Sequence, residues 1–559
     1  MSDRQRQRVA VVTGGGGGIG AAIAEAISRT GTFVVTVDPL VSVDGSEQLP
    51  TPEETTAGRI VAAGRSARAS SVSVTDAAGV RSLFEDLAQE FGGLDAVVNV
   101  AGITRPTSFA RGTEEDWRSV LSVHLDGYLN ILHAALPLMA VAGRGHVLGV
   151  TSGSGWRPAD TGAYGCAKRA VAAITWQLGR HAPPGVVVNA LSPIAATRMV
   201  TAALSRARSS APPAGDGPVK PRSSATGGLS LASMPGPDEL GPLGAHLVDD
   251  AFSACRGKVI FSGGSEIAVV EAPRLLEVVR TTEAVSVEHV LDTVTTRALV
   301  PAEANQASFG GSNARFAGLF TEAADAADAD PAVRTCAIVT DRPALGDALV
   351  AALTDRGVRC HLVDAAAVGP GFDGASHALA SAVSACGPLD ALIIALAADR
   401  SAPDLAGWER VLTEHTGIAV ALHADAAWAR AVADYSASAD HALRLLTLTD
   451  ATTAGGRSRA QSAAQHARSA RGSTDDRVSA FALSVETSWE AVPSFGEIVA
   501  HLLCTDDTSA LSGAELAVGP GWFGLRSHPH PTGSIVFGGP ELPDWFDDAL
   551  AGIAGEEDR

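Results

Sequence analysis

The chain has no CxxC pair, and its six cysteines are scattered singly. That pattern argues against a zinc ribbon or a disulfide framework and fits reduced thiols. No metal is expected elsewhere either. The tail's SHPHP offers His528 and His530, but no cysteine or carboxylate lies beside them in sequence to complete a ligand set. No apolar run reaches the roughly 18 residues needed to span a bilayer. The polar lead MSDRQRQR runs directly into an apolar strand, so no signal peptide is expected and the cytoplasm is the expected location. Basic charge is also in deficit, with 42 Lys and Arg against 62 Asp and Glu and a formal charge of −20. Such a surface repels nucleic acid and anionic membrane. Aromatics make up only 5% of the residues and lysine is scarce. What remains is 559 residues, 46% hydrophobic and 19% charged. This composition is that of a globular chain, too long for one ordinary core.

The chain resembles itself. VAVVTGGGGGIGAAIAEAISRTGTFVVTVD, near the start, reads as buried strand, glycine-rich turn, amphipathic helix and second strand. From Cys336, CAIVTDRPALGDALVAALTDRGVRCHLVD repeats that order, with Thr340 answering Thr13 and Asp364 answering Asp38. GGLDAVVNVAG is matched by GPLDALIIALA, and Trp117-VL by Trp408-VL. Alternating strands and helices predict an α/β fold of two doubly wound parallel-sheet domains in tandem. The expected division is residues 1–300 and 301–559, with a Ser/Pro/Gly-rich insertion of low order at about 205–237 inside the first domain. GKVIFSGG, after that insertion, reads as the last strand of the first sheet.

Thr13 to Gly20 lies between a strand and a helix, where glycines let the backbone turn tightly and approach a pyrophosphate at the helix N-terminus. Asp38 ends the second strand. A carboxylate there accepts hydrogen bonds from ribose hydroxyls and repels a 2′-phosphate, which favours NAD over NADP; the alternative is a plain surface aspartate. Tyr164-Gly165-Cys166-Ala167-Lys168 puts a phenol and an ammonium on one helix face. A neighbouring positive charge lowers a tyrosine pKa toward working pH.

TGGGGGIG, NVAG, YGCAK and VNALSPIAATRM, in this order, resemble the short-chain dehydrogenase/reductase family over residues 8 to about 280. The resemblance implies a Rossmann-like fold and hydride transfer between NAD and a secondary alcohol or ketone. It makes Tyr164 the acid/base and has Lys168 tune it and hold the nicotinamide ribose. Ser152 would hydrogen-bond the substrate oxygen, although the family's usual position falls on Thr151, and Ser154 is a lesser candidate. It implies cofactor contacts from Thr13, Gly14, Gly18, Ile19, Gly20, Asp38, Asn99, Ala101, Gly102, Pro193, Ile194 and Thr197. Asn99 would bond to backbone and Thr197 to the nicotinamide carboxamide. His124 stands where the family commonly has an asparagine that anchors a proton-relay water. It holds such a water or is a hydrogen-bonded core histidine. Ile194 replaces a common glycine and should narrow the pocket.

The segment PLVSVDGSEQLPTPEETTAGRIVAAGR, after Asp38, resembles the insertion of mycofactocin-associated dehydrogenases; an ordinary loop extension is the alternative. The resemblance implies a tightly retained NAD and an external electron carrier. A 3-hydroxyacyl thioester and an alicyclic or terpenoid-like alcohol both remain open as substrates. A CoA substrate would call on Arg157, Arg198 or Lys220/Arg222. In the second unit, the internal alignment sets Asn99 against Ile394, Ser152 against Asp450, Tyr164 against Ser462 and Lys168 against His466. That unit is expected to be degenerate and non-catalytic, pairing with the first through long helices as a built-in pseudo-dimer partner. Such helices also leave a homo-oligomer open. The competing reading of the whole is a non-catalytic NAD-binding sensor or scaffold.

Overall fold

A computed structural model describes residues 6–201, 234–281, 287–307, 333–397, 400–492, 494–539 and 541–555. Most of the expected low-order stretch at 205–237 lies outside the described residues, as do Lys220 and Arg222. Two sheets organise the rest.

In the first sheet, β1 (Val9–Thr13), β2 (Phe33–Val37), β3 (Ala67–Ser70), β4 (Ala96–Asn99), β5 (Gly145–Val150), β6 (Val186–Pro193) and β7 (Val259–Gly263) run parallel in the order 3-2-1-4-5-6-7. The central strands are continuous apolar runs because both faces are covered; every residue of β1 is buried. The strand order reverses between β1 and β4, which opens a crevice at their C-terminal ends. The helices of this unit are α1 (Gly18–Ser28), α2 (Thr56–Ala62), α3 (Ala77–Phe91), α4 (Glu114–Leu121), α5 (Gly127–Ala142) and α6 (Ala163–His181). A capping box starts α4: Thr113 Oγ1 accepts from Asp116 N, and the Asp116 carboxylate accepts from Thr113 N, both at 3.1 Å. Residues Ser122–Asp126 form a single π-helical turn between α4 and α5. The continuous helix Glu114–Ala142 is long and apolar enough by composition to cross a bilayer. It is nevertheless a core helix, with Trp117, Tyr128, Leu132 and Met139 all buried.

The second sheet repeats this plan. β10 (Thr335–Thr340), β11 (Arg359–Asp364), β12 (Ala391–Ala395), β13 (Leu443–Asp450), β14 (Val478–Val485) and β15 (Glu515–Gly519) are parallel, followed by antiparallel β16 (Trp522–Arg526). β11, the counterpart of β2, is the end strand of this sheet, whereas β3 covers β2 in the first. Trp522 and Phe523 begin β16, and Phe523 is buried in the second core.

The expected division at residue 300 is crossed in both directions. β9 (Leu275–Arg280), which follows the hairpin of β7 and β8 (Glu266–Val270), leaves its own sheet and pairs antiparallel with β16. β17 (Pro531–Val536), which follows β16, returns to pair antiparallel with β8. Each unit thus closes its sheet with a strand from the other, for an edge strand needs only unpaired N–H and C=O groups to join. The helix Val287–Val294 also packs with the second core through Leu291.

The two units face each other through α6 and the helix Ala454–Ala467, which lie antiparallel. Ser462 Oγ donates to Cys166 O at 3.0 Å, and Gln177 Nε2 donates to Ser458 Oγ at 3.0 Å. Beside this seam, buried Arg169 pairs with buried Glu515 at 2.5 Å, and His528 bridges Glu515 and Glu303. His528 is therefore held by Glu303 and Glu515, the latter also bound to Arg169 of the first unit. Among the described residues, no group of three or more His, Cys, Asp or Glu is placed to hold a metal ion.

Candidate active site

The crevice at the strand reversal holds a cavity of about 600 Å³. Its wall brings together Gly14, Gly18, Ile19, Asp38, Ala101, Gly102, His124, Ser152, Tyr164, Lys168, Pro193 and Thr197. Four of the expected contacts are absent from the wall. Thr13 and Asn99 are buried beneath it, where Thr13 Oγ1 donates to Asn99 Oδ1 at 2.7 Å and accepts from Ala101 N at 3.2 Å. Asn99 thus reaches backbone only through Thr13, whereas a direct bond was expected. Gly20 is a buried packing glycine of α1. Ile194 is also displaced from expectation: its side chain packs beside Trp156 and Phe261, so it does not narrow the cavity.

Gly14 has φ +66°, and a Cβ there would stand 2.8 Å from Ala101 N, so only glycine fits the turn. At the end of β2, Asp38 Oδ2 accepts from Gly16 N at 3.0 Å and Oδ1 from Leu40 N at 2.8 Å. These bonds fix the carboxylate at the rim of the glycine-rich turn. The following segment folds back over it. Ser42 and Ser46 bond to the Asp44 carboxylate and hold it well below the usual carboxylate range. Thr104 N donates to Val43 O and Arg105 Nε to Asp44 O, both at 2.9 Å. The insertion therefore ties itself to the loop after β4 across the mouth, and Val41, Ser42, Val43 and Gly45 join the cavity wall.

At the other end, Tyr164 and Lys168 lie one turn apart on α6. Lys168 Nζ donates to Val150 O at 2.6 Å and stands 5.7 Å from the Tyr164 ring centroid. Burial pulls Lys168 down to about 7. Burial also pushes the Tyr164 phenol up, against the lowering expected from the sequence; a hydrogen bond from Ser152 opposes the rise. The lysine does not offset this because its ammonium is spent on Val150 O and easily neutralised.

Ser152 Oγ accepts from Ser154 N at 3.2 Å, which leaves its proton to give toward Tyr164. Thr151, at the position more usual for the serine, donates its hydroxyl to Lys168 O at 2.6 Å and anchors α6. Ser154 O accepts from Gln465 of the second unit, and its side chain is outside the cavity wall.

His124 sits on the π-helical turn, a distortion that often marks functional sites. It is 2% exposed, its ring meets Tyr164 edge-on at 5.0 Å, and its Nε2 lies 2.7 Å from Ile103 O and 3.2 Å from Ile103 N. Its Nδ1 is buried without a partner among the described residues. Burial and the Lys168 charge pull this imidazole down to about 3, so it is neutral.

Several wall residues carried no signal in the sequence. Arg105 is one. Val72 to Thr75 are others, although their place just after a parallel strand is where such folds bind ligands.

The corresponding crevice of the second unit is closed. Arg342 reaches Asp450 at 3.6 Å, and with Trp489 and Phe495 nearby only about 10 Å³ remains. The expected alignment of Tyr164 with Ser462 is corrected by helix register. The helix Ala454–Ala467 begins after only residues 451–453, whereas α6 begins after residues 151–162. Tyr164, second in α6, corresponds in that register to Gly455, and Lys168 corresponds to Arg459, which is paired with Asp425. Ser462 and His466 instead turn toward the first unit, His466 against Phe109 and Trp117.

The short chain dehydrogenase family model matches residues 8–208. An uncharacterized oxidoreductase from Staphylococcus epidermidis is 33% identical over 192 residues, which span 34% of this chain and 77% of that protein. The chain belongs to the short-chain dehydrogenase family. An uncharacterized NAD-dependent oxidoreductase of Mycobacterium tuberculosis is 34% identical over 196 residues, covering 33% of this chain and 70% of its own. A 3-oxoacyl-[acyl-carrier-protein] reductase of Thermotoga maritima is 27% identical over 260 residues, 46% of this chain and 96% of its own.

Proposed function

We propose that this short-chain dehydrogenase is an NAD-dependent enzyme that interconverts a secondary alcohol and a ketone, with Tyr164 as acid/base. The observation that carries the reading is the convergence of Ser152, Tyr164, Lys168 and His124 on the end of a cavity whose other end is lined by Gly14 and Asp38. The residues fit a dinucleotide: bare backbone at Gly14, a fixed carboxylate at Asp38, and ample volume between. Bound there, NAD would supply the hydride acceptor and a positive charge near the phenol.

Ser152 would hold the substrate oxygen, and Tyr164 would take its proton as the alcohol is oxidised or return one to the ketone. Lys168 would hold the ribose and, when charged, favour phenolate. His124 Nδ1, buried with no protein partner among the described residues, would hold a water that passes the proton onward.

The strap from Pro39 to Gln48 favours slow release of the cofactor, as in the mycofactocin-associated dehydrogenases that it resembles, with an external carrier to reoxidise it. A neutral alicyclic or terpenoid-like alcohol suits the wall near Tyr164 better than an acyl thioester. Ile103, Val150, Ala195 and Val200 supply apolar surface; of the arginines a CoA would call on, Arg157 lies under the Trp156 ring outside the wall, and Arg198 lines it beside Gly17 at the glycine-rich turn. The second unit would carry out no hydride transfer and would serve as the first unit's fixed partner. Six free cysteines agree with a cytoplasmic setting.

The test is to purify the protein without added nucleotide, denature it and identify what is released. Stoichiometric NAD is the expected result. An empty protein that prefers NADP would overturn the cofactor assignment.

A further inference from the structure

The two halves of the pseudo-dimer differ at one place beside the seam. In the first unit, the loop before α6 lays Trp156 against Ala190 and Val259, and its Nε1 donates to Ser192 Oγ at 3.0 Å. The second unit grips that loop: Gln465 Nε2 donates to Ser154 O at 3.0 Å and Arg157 O at 2.8 Å, and Arg468 donates to Trp156 O at 2.9 Å.

In the second unit the equivalent loop is missing, because residues 451–453 alone join β13 to its helix. Strand register makes Ala482 the counterpart of Ala190, Ser484 of Ser192 and Glu515 of Val259. These three, which a tryptophan would cover, instead floor a cavity of about 480 Å³ between the units. That volume is in the range of small-molecule sites. Trp176 and Gln177 of α6 form the facing wall.

The charges at this cavity are unequal. Glu515 is neutralised by Arg169, and Glu486 by a two-point contact from Arg526 at 3.1 and 2.6 Å. Arg457 and Arg180 also line it, and among the described residues neither has a carboxylate at salt-bridge distance. Arg457 is held toward α6 by Gln177 Oε1 at 3.3 Å.

We propose that this cavity is a second binding site, for an aromatic organic anion of about indole size. Its ring occupies over Ala482 and Ser484 the place that Trp156 takes over Ala190 and Ser192. A ring N–H can donate to Ser484, and the anionic group rests on Arg457 and Arg180. The site contains no phenol or thiol and lies apart from Tyr164, so it binds rather than transforms.

The test uses the full chain saturated with NAD, titrated calorimetrically with indole-3-acetate as the probe. One saturable site per chain is expected, with indole alone and acetate alone at least about tenfold weaker. Arg457→Ala should weaken the probe about tenfold while NAD binding is unchanged. Ala460→Trp, which fills the cavity, should abolish probe binding. Absence of saturable binding to the parent protein would overturn the proposal. So would probe affinity unchanged in either variant.

Discussion

At the residue scale, Asp38 shows how a single carboxylate acts twice. It stitches the glycine-rich turn through Gly16 N and stands where a ribose would meet it. Asp38→Ala should therefore raise KM for NAD about tenfold and relax discrimination against NADP, measured as the ratio of kcat/KM for the two nucleotides. An unchanged ratio would reduce Asp38 to a turn residue. Tyr164 and Lys168 were legible in the sequence because their spacing fixes a shared helix face. Ser152 was only partly so: its neighbour Thr151 is equally plausible by spacing, and the choice rests on a hydrogen bond from Thr151 to Lys168 O that no motif encodes. The raised Tyr164 was not legible, since burial and the direction of Lys168 Nζ are properties of packing.

At the scale of elements, the insertion after Asp38 is the strap whose consequence is most easily measured. Two backbone contacts, through Val43 O and Asp44 O, tie it to the loop after β4. Replacing residues 41–48 with a short glycine linker should speed NAD dissociation by at least about tenfold, since each lost hydrogen bond contributes about 1 kcal/mol and the mouth is left open. Stopped-flow displacement measures this, and an unchanged off-rate would make the segment an ordinary loop extension. Strand and helix order was readable from apolar periodicity in both units. The exchange of β9 and β17 was not, because LLEVVR and PTGSIV have no feature that says which sheet edge they join. The mistaken alignment of Tyr164 with Ser462 has a similar origin. With no gap placed between Ser152 and Tyr164, the sequence comparison cannot see that residues are missing from the loop before the helix.

At the scale of the molecule, the strand exchange and the α6 seam make one folding unit of two repeats, so neither repeat closes its sheet alone. Four histidines of this unit stay neutral well below the usual imidazole range: His124 is pulled down to about 3, and His415, His466 and His501 to about 4, in each case mainly by burial. In the unfolded chain each takes a proton below about 6.5, whereas in the folded protein it stays neutral until about 4 or lower. Stability from these groups is therefore fully present above about 6.5 and falls as pH drops toward 4, each histidine contributing about 1.4 kcal/mol per pH unit. Urea midpoints across that window should fall steadily with acidification, and His466→Phe should flatten the slope. A pH-independent midpoint would contradict the buried, neutral assignment.

The most direct measurement of the central claim mixes the NAD-loaded protein with a panel of alicyclic and open-chain secondary alcohols and follows reduced-nicotinamide absorbance in a single turnover. An absorbance burst with at least one alcohol is predicted, and Tyr164→Phe should slow it by about 10²–10⁴-fold with NAD still bound. A burst of equal rate in the variant would contradict Tyr164 as the acid/base. An NAD-loaded protein inert to every alcohol would instead favour a sensor or scaffold.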